Sequence, residues 1–340
     1  MNEFIYLLPI AIAFFLAFNM GASGTAPSFS AAYGANLIKR ESIPGLFGLF
    51  VLLGGLLAGH KVMATIGGAI LPATQMSFVV VSIVLLSSAL SLLFANLLKV
   101  PQSTSQSTIF ALAGCALFFG SLQTRKLLLE IVPLWFVLPF VAFLLTALLA
   151  TGAKRLKSTQ IVVSFSNIST HKYWKVITIA CSCYVAFSIG SNNVANAAGP
   201  IASLLRNEIG INEEVSTLML SLICILLVAP WFGIGGSMLG GRVLSTTGKD
   251  MVEMGPSSAA LVSVVTASLL LFASLTRGIP ASLVQMNTFA IMAIGYVNRH
   301  KVDMKKSVVL KLWAIWLAAP LIAFVIAFAL TAASSWAGLI

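Results

Sequence analysis

Two kinds of stretch in this chain gather polar groups that could hold a ligand within an otherwise apolar sequence. One is AFSIGSNNVANAAGP, Ala186 to Pro200, where Ser191, Asn192, Asn193 and Asn196 follow Gly190. The other is the proline-led VPQSTSQST, Val100 to Thr108, with a counterpart IPASLVQ, Ile279 to Gln285. All these side chains are neutral amides and hydroxyls, costly in hydrocarbon unless hydrogen-bonded. A helix interrupted at Gly190, its freed backbone groups aimed at a ligand, accounts for this composition. A packing face of small residues accounts for less of it, because two adjacent amides beside a glycine exceed what packing requires. Helix N-termini carry partial positive charge and unpaired N–H groups, which is the chemistry of an anion site. Such a site needs no lysine.

The expected side-chain contacts to an anion are therefore Asn192, Asn193, Ser103, Thr104, Ser105, Gln106, Ser282 and Gln285. Asn19, Ser23 and Thr25, near the N-terminus, are second choices. A single Ser or Thr in an apolar helix more often back-bonds to the preceding turn, so the argument rests on the clusters. The 9 acids are Glu3, Glu41, Glu130, Glu208, Glu213, Glu214, Asp250, Glu253 and Asp303, each at the end of an apolar run or in a loop. His60, His171 and His300 sit at span ends or in a basic loop. No nucleophile–base pair or metal cluster is visible, no cofactor is implied, and an enzyme is not expected. Cys115, Cys181, Cys183 and Cys224 lie inside apolar runs without metal-ligand spacing and read as small hydrophobes.

The elements that must position these groups are membrane helices. With 59% hydrophobic and 9% charged residues and a mean hydropathy of +1.02, the chain is an integral membrane protein, since a soluble chain is about a quarter charged. The net charge of +11 sits in short loops, so nucleic acid is not a partner and the lipid bilayer is. Glu3 is the only charge before the first apolar run, which does not resemble a signal peptide.

The sequence also repeats itself. AFNMGASGTAP aligns with AFSIGSNNVAN, placing Gly21 on Gly190, 169 residues apart. GHKVMATIG (Gly59 to Gly67) falls on GGRVLSTTG (Gly240 to Gly248), and VPQSTSQSTIFA on IPASLVQMNTFA, at spacings of 181 and 179. Three blocks in one order predict two copies of a unit: residues 1–152, a basic linker 153–173, and residues 174–340. The first copy is expected to hold a span from Phe4 to Ile38 broken at Asn19 to Pro27, with Thr25 opening its second half. Spans at Pro44 to Gly59 and Ser77 to Leu98 follow, then a segment after Pro101 to Gly120, then Ile131 to Thr151. The second copy repeats this plan. The segments around Pro101 and Pro280 are either separate spans or re-entrant hairpins. Either count is odd, five or three crossings, so the second copy is inverted relative to the first. With both termini outside, 15 of the 20 Lys and Arg residues face the cytoplasm, as the positive-inside rule asks. The fold class expected is all-α and polytopic, two inverted repeats of about five segments with broken helices and hairpin-like tips.

At these residues the chain resembles the inorganic phosphate transporter family. GSNNVANAAGP matches the family's glycine–alanine–asparagine–aspartate motif, VPQSTSQ its hairpin tip, and GGRVLSTTG a further segment. The resemblance covers nearly the whole chain and implies an inner-membrane oxyanion transporter, a homodimer by family habit. The departures matter. The family's aspartate is Asn193 in the second copy, and Gly24 stands at the same place in the first. Both carboxylates associated with sodium and protonated phosphate are thus missing. Sulfate is a pure acceptor, and a carboxylate facing it would cost about 1–3 kcal/mol or more. The resemblance therefore points to the sulfate-permease branch, proton-coupled and sodium-independent. A phosphate symporter of the same family and an oxyanion channel are the alternatives. Selenate, molybdate and thiosulfate stay open as substrates, and the proton carrier is open among Glu41, Glu253 and sulfate itself.

Overall fold

The computed structural model describes residues 7–34, 37–98, 100, 102–158, 172–208, 217–240, 256–298 and 306–340. Among these, every regular element is helical. In chain order they are α1 (Leu7–Gly34), α2 (Ile43–Ala58), α3 (His60–Gly68), α4 (Phe78–Leu97), α5 (Thr104–Phe118), and a π-helical turn Lys126–Ile131 leading into α6 (Val132–Ser158). Then come α7 (Lys172–Glu208), α8 (Thr217–Val228), α9 (Pro230–Met238), α10 (Pro256–Arg277), α11 (Leu283–Asn298) and α12 (Lys306–Trp336). Seven helical segments are long and apolar enough to cross a membrane. α7 is not among them, although its 37 residues would reach far beyond a bilayer's thickness. Its polar residues face inward, because α1, α2, α3 and α10 pack around it. Neighbouring helices replace lipid where lipid would be costly.

The expected breaks in the first helix of each copy do not occur. α1 and α7 run continuously through Gly21, Pro27, Gly190 and Pro200. The glycines serve helix crossings instead. A Cβ at Gly21 would strike the carbonyl of Phe232 on α9, and one at Gly235 would strike that of Phe18 on α1. The same is true where α7 crosses α2, with Gly190 against Val51 and Gly54 against Phe187. Small residues let backbones touch, which is how helices associate where no hydrophobic force separates them from lipid. Thr25, expected to open a half-helix, lies in the interior of α1 and donates to the Gly21 carbonyl at 2.7 Å.

The two proline-led segments do form hairpins. α4 turns back into α5 and α10 into α11, and each returning helix is short, 15 and 16 residues, against about 20 needed to span. The tips are built alike. Ser103 Oγ accepts from the Gln106 N–H at 3.4 Å, and Ser282 Oγ accepts from the Gln285 N–H at 3.3 Å. These are N-caps, satisfying one of the donors a helix start leaves free. Gly278, at φ +61°, ends α10 in the left-handed conformation that glycine tolerates. The packing pairs helices across the halves of the chain: α1 on α9, α2 on α7, α5 on α12 and α6 on α11. Most of the linker, the residues after Gly240 in GGRVLSTTG, the loop holding Glu253, the acidic loop beyond Glu208, the basic loop 299–305, Lys99 and Pro101 lie outside the described residues.

Candidate binding cleft between the hairpin tips

The two tips meet each other. Gln106 Nε2 donates to Gln285 Oε1 at 3.2 Å, and Gln285 Nε2 donates to Gln106 Oε1 at 3.3 Å. Beside this reciprocal pair lies a small, partly open cleft, whose roughly 330 Å³ of empty space includes open solvent. Its lining comes from Ser23, Gly24 and Pro27 on α1, Gln102 to Ser105 at the first tip, Ile189 and Asn193 on α7, and Ala281, Leu283 and Val284 at the second tip. Among the described residues, no ionisable side chain lines it.

Two helices, α5 and α11, begin at this cleft. In α5 the Gln106 N–H is taken by the cap, and the Ser107 N–H bonds the Ser103 carbonyl at 3.3 Å. That leaves the first-turn N–H groups of Thr104 and Ser105, which an α-helix does not pair internally, at the cleft wall. α11 repeats the pattern at Leu283 and Val284, with the Met286 N–H on the Ser282 carbonyl at 3.2 Å. Two helix N-termini with their positive dipole ends therefore converge here. α1 and α7 contribute none, because the expected breaks in them do not occur.

The expected side chains divide into three groups. Ser103, Thr104, Ser105, Asn193 and Ser23 all line the cleft. Asn193 is only partly buried, and its Nδ2 reaches Thr104 Oγ1 at the long distance of 3.5 Å, leaving the amide available to a ligand. Gln106, Gln285 and Ser282 sit at the tips but are spent on the reciprocal pair and a cap. The third group lies away from the lining. Asn19 donates to the Phe15 carbonyl at 2.9 Å, Thr25 to that of Gly21, and Asn192 is fully buried between the tips. In α1 the hydroxyls back-bond to the preceding turn; Ser23 does so too, to Met20 at 3.1 Å.

One lining residue escaped the sequence argument. Gln102 is buried, and its Oε1 has no hydrogen-bond partner, while its Nε2 makes long contacts to Ser103 and Ser107 at 3.4 Å each. Its position within the VPQSTSQ tip was the available signal. Asn196, part of the GSNNVANAAGP stretch, donates to Ser105 Oγ at 3.2 Å, and its Oδ1 is also unpartnered. Among the described residues no cluster of His, Cys, Asp or Glu could hold a metal ion.

A cradle of helix N-termini, hydroxyls and an amide inside a polytopic helical bundle is the arrangement of a small-anion carrier. Comparison with known proteins agrees with that class. Residues 20–327 match the model of the phosphate transporter family, and the chain belongs to that family. It is 30% identical over 325 residues to the sulfate permease CysP of Bacillus subtilis, covering 95% of this chain and 86% of that one. It is 25% identical to a putative phosphate permease of Haemophilus influenzae, over 84% of this chain and 86% of the relative. A solved structure titled as the sodium-dependent phosphate transporter superposes with a TM-score of 0.82 at 22% identity, covering 98% of this chain and 99% of the other. That likeness shows the fold, and the family makes the chain a multi-pass membrane transporter.

Proposed function

We propose that this transporter imports inorganic sulfate across the cell membrane as a secondary active carrier, coupled to protons and independent of sodium. The observation that carries the reading is the cleft lining, which offers donors from two helix N-termini, the Ser103 and Thr104 hydroxyls and the Asn193 amide, and, among the described residues, no carboxylate. Fully ionised sulfate only accepts hydrogen bonds, so such a lining satisfies it. A phosphate that keeps a proton near neutral pH would seek an acceptor there. The printed name of the Bacillus relative supports the same substrate. Phosphate transport is the second reading, favoured by the phosphate permeases among the relatives. Proton coupling comes from the family resemblance, and among the described residues no carboxylate at the cleft offers itself as the carrier. The substrate contacts we assign are Ser103, Thr104 and Asn193, with Gln102 added, while Ser105 and Ser23 line the cleft with their hydroxyl protons given to Asn192 and to the Met20 carbonyl.

We also read the chain as two inverted copies with both termini outside, working as a homodimer. The reciprocal Gln106–Gln285 pair and the paired glycine crossings support the inverted copies, since residue i of one unit meets residue j of the other and the reverse. Proteoliposomes loaded against radiolabelled sulfate test the substrate. Sulfate uptake is expected to exceed phosphate uptake at least about tenfold, about 1.4 kcal/mol, and to follow an imposed proton gradient. A preference for phosphate overturns the assignment, and flux that ignores the proton gradient makes the protein a channel. Uptake at fixed pH and potential is expected to be unchanged by sodium; a steep rise with sodium would refute independence.

A further inference from the structure

Asn192 stands next to the cleft-facing Asn193 in sequence, yet its amide has nothing left to give. A carboxamide can make four hydrogen bonds, two accepted at oxygen and two donated from nitrogen. Asn192 makes all four. Its Oδ1 accepts from Ser105 Oγ at 3.3 Å and from the Ala281 N–H at 3.1 Å. Its Nδ2 donates to Ser274 Oγ at 2.9 Å and to the Ile279 carbonyl at 3.0 Å. The orientation is fixed by these partners, because a flipped amide would set NH2 against the Ala281 N–H and oxygen against the Ile279 carbonyl.

We infer that Asn192 is a positioning residue, a saturated clamp that fastens both hairpin tips to α7 without touching the transported anion. The inference rests on reading the cleft as the anion site. Ser105 belongs to the first tip, and Ile279 and Ala281 to the second, so one buried amide sets the distance between the two helix N-termini. Nothing equivalent exists on α1. Ser23, which stands 169 residues earlier, bonds only the Met20 carbonyl of its own helix. The tips are thus tied to the α7 wall of the cleft by side-chain bonds that the α1 wall does not repeat.

The test uses the full chain in proteoliposomes, with Asn192→Ala and Ser274→Ala made singly and together. Ser274 is fully buried and absent from the cleft lining. The rate at which a cysteine introduced by Ala281→Cys reacts with a membrane-impermeant maleimide reports the tip, with labelled peptides mapped to separate the four native cysteines. Labelling is expected to rise about tenfold in Asn192→Ala, severalfold in Ser274→Ala, and no further in the double variant. Sulfate transport should fall in the same order, with Ser274→Ala showing the milder part of the defect. If Asn192→Ala abolishes sulfate binding while tip labelling stays at the parent rate, or if Ser274→Ala is silent in both measurements, Asn192 is a ligand and the clamp is wrong. Should Asn192→Ala fail to fold, Ser274→Ala and Asn192→Ser carry the same comparison. A parent protein that does not bind sulfate sinks the function instead, and leaves the labelling result to decide the clamp separately.

Discussion

α1 and α7 occupy matching places in the two halves of the chain, yet they do different work. Both cross a short glycine-bearing helix of the other half at backbone contact, through Gly21 and Gly190. Two residues further along they part. Where α7 carries Asn192, Asn193 and Asn196, α1 carries Ser23, Gly24 and Pro27. The amides of α7 reach across to both tips, whereas the hydroxyls of α1 return to their own helix. Shared backbone geometry can therefore be kept while side-chain bonding is concentrated on one copy. The crossing needs only small residues, but a polar tie needs an amide long enough to leave its helix.

The sharpest way to break this comparison is at the crossing. Gly190→Ala drives a Cβ into the Val51 carbonyl, a backbone atom that cannot step aside. Overpacking of this kind costs about 1–3 kcal/mol or more. Gly24→Ala on α1 meets the edge of the Phe47 ring, at 2.9 Å, and that side chain can yield. Thermal unfolding in detergent should show a large loss for Gly190→Ala and a small one for Gly24→Ala; equal losses would mean the crossing is not rigid.

The next effect concerns the ligand. Asn193→Asp hardly changes volume but replaces a donor with a charge facing a dianion. At about 4 Å and an effective dielectric near 20, one unit of like charge costs about 4 kcal/mol. Allowing generously for relaxation, sulfate uptake is expected to fall at least about tenfold, about 1.4 kcal/mol, while expression and folding hold. Uptake equal to the parent's would remove Asn193 from the site. The smallest effect belongs to the tip pair. Gln106→Leu and Gln285→Leu, separately and together, should reveal a coupling of about 0.6 kcal/mol in stability, the size usual for side-chain bonds between membrane helices. Independent effects of the two changes would show that the reciprocal amide pair holds nothing.

The sequence by itself determined a good deal. Composition fixed the membrane, because so few charges cannot coat a soluble domain. The first and third repeated blocks fall on α1 and α7 and on the starts of α5 and α11, and the hydroxyl run after Pro101 marked a helix start, since a serine three residues before a free N–H caps it in any context. The cleft-lining Ser103, Thr104 and Ser105 were legible for that reason, and Asn193 from the adjacent amides beside Gly190, although the helix break expected there does not occur. Tertiary structure decided the rest. Gly190 amid polar residues reads as a break, but a glycine that frees a helix and a glycine that admits a neighbour's backbone look identical in sequence. Only the approach of Val51 distinguishes them. Likewise Asn192 and Asn193 are the same residue side by side. On a helix, adjacent positions point about 100° apart, and only the packing of α7 between the tips turned one amide into the buried tie and left the other facing the cleft.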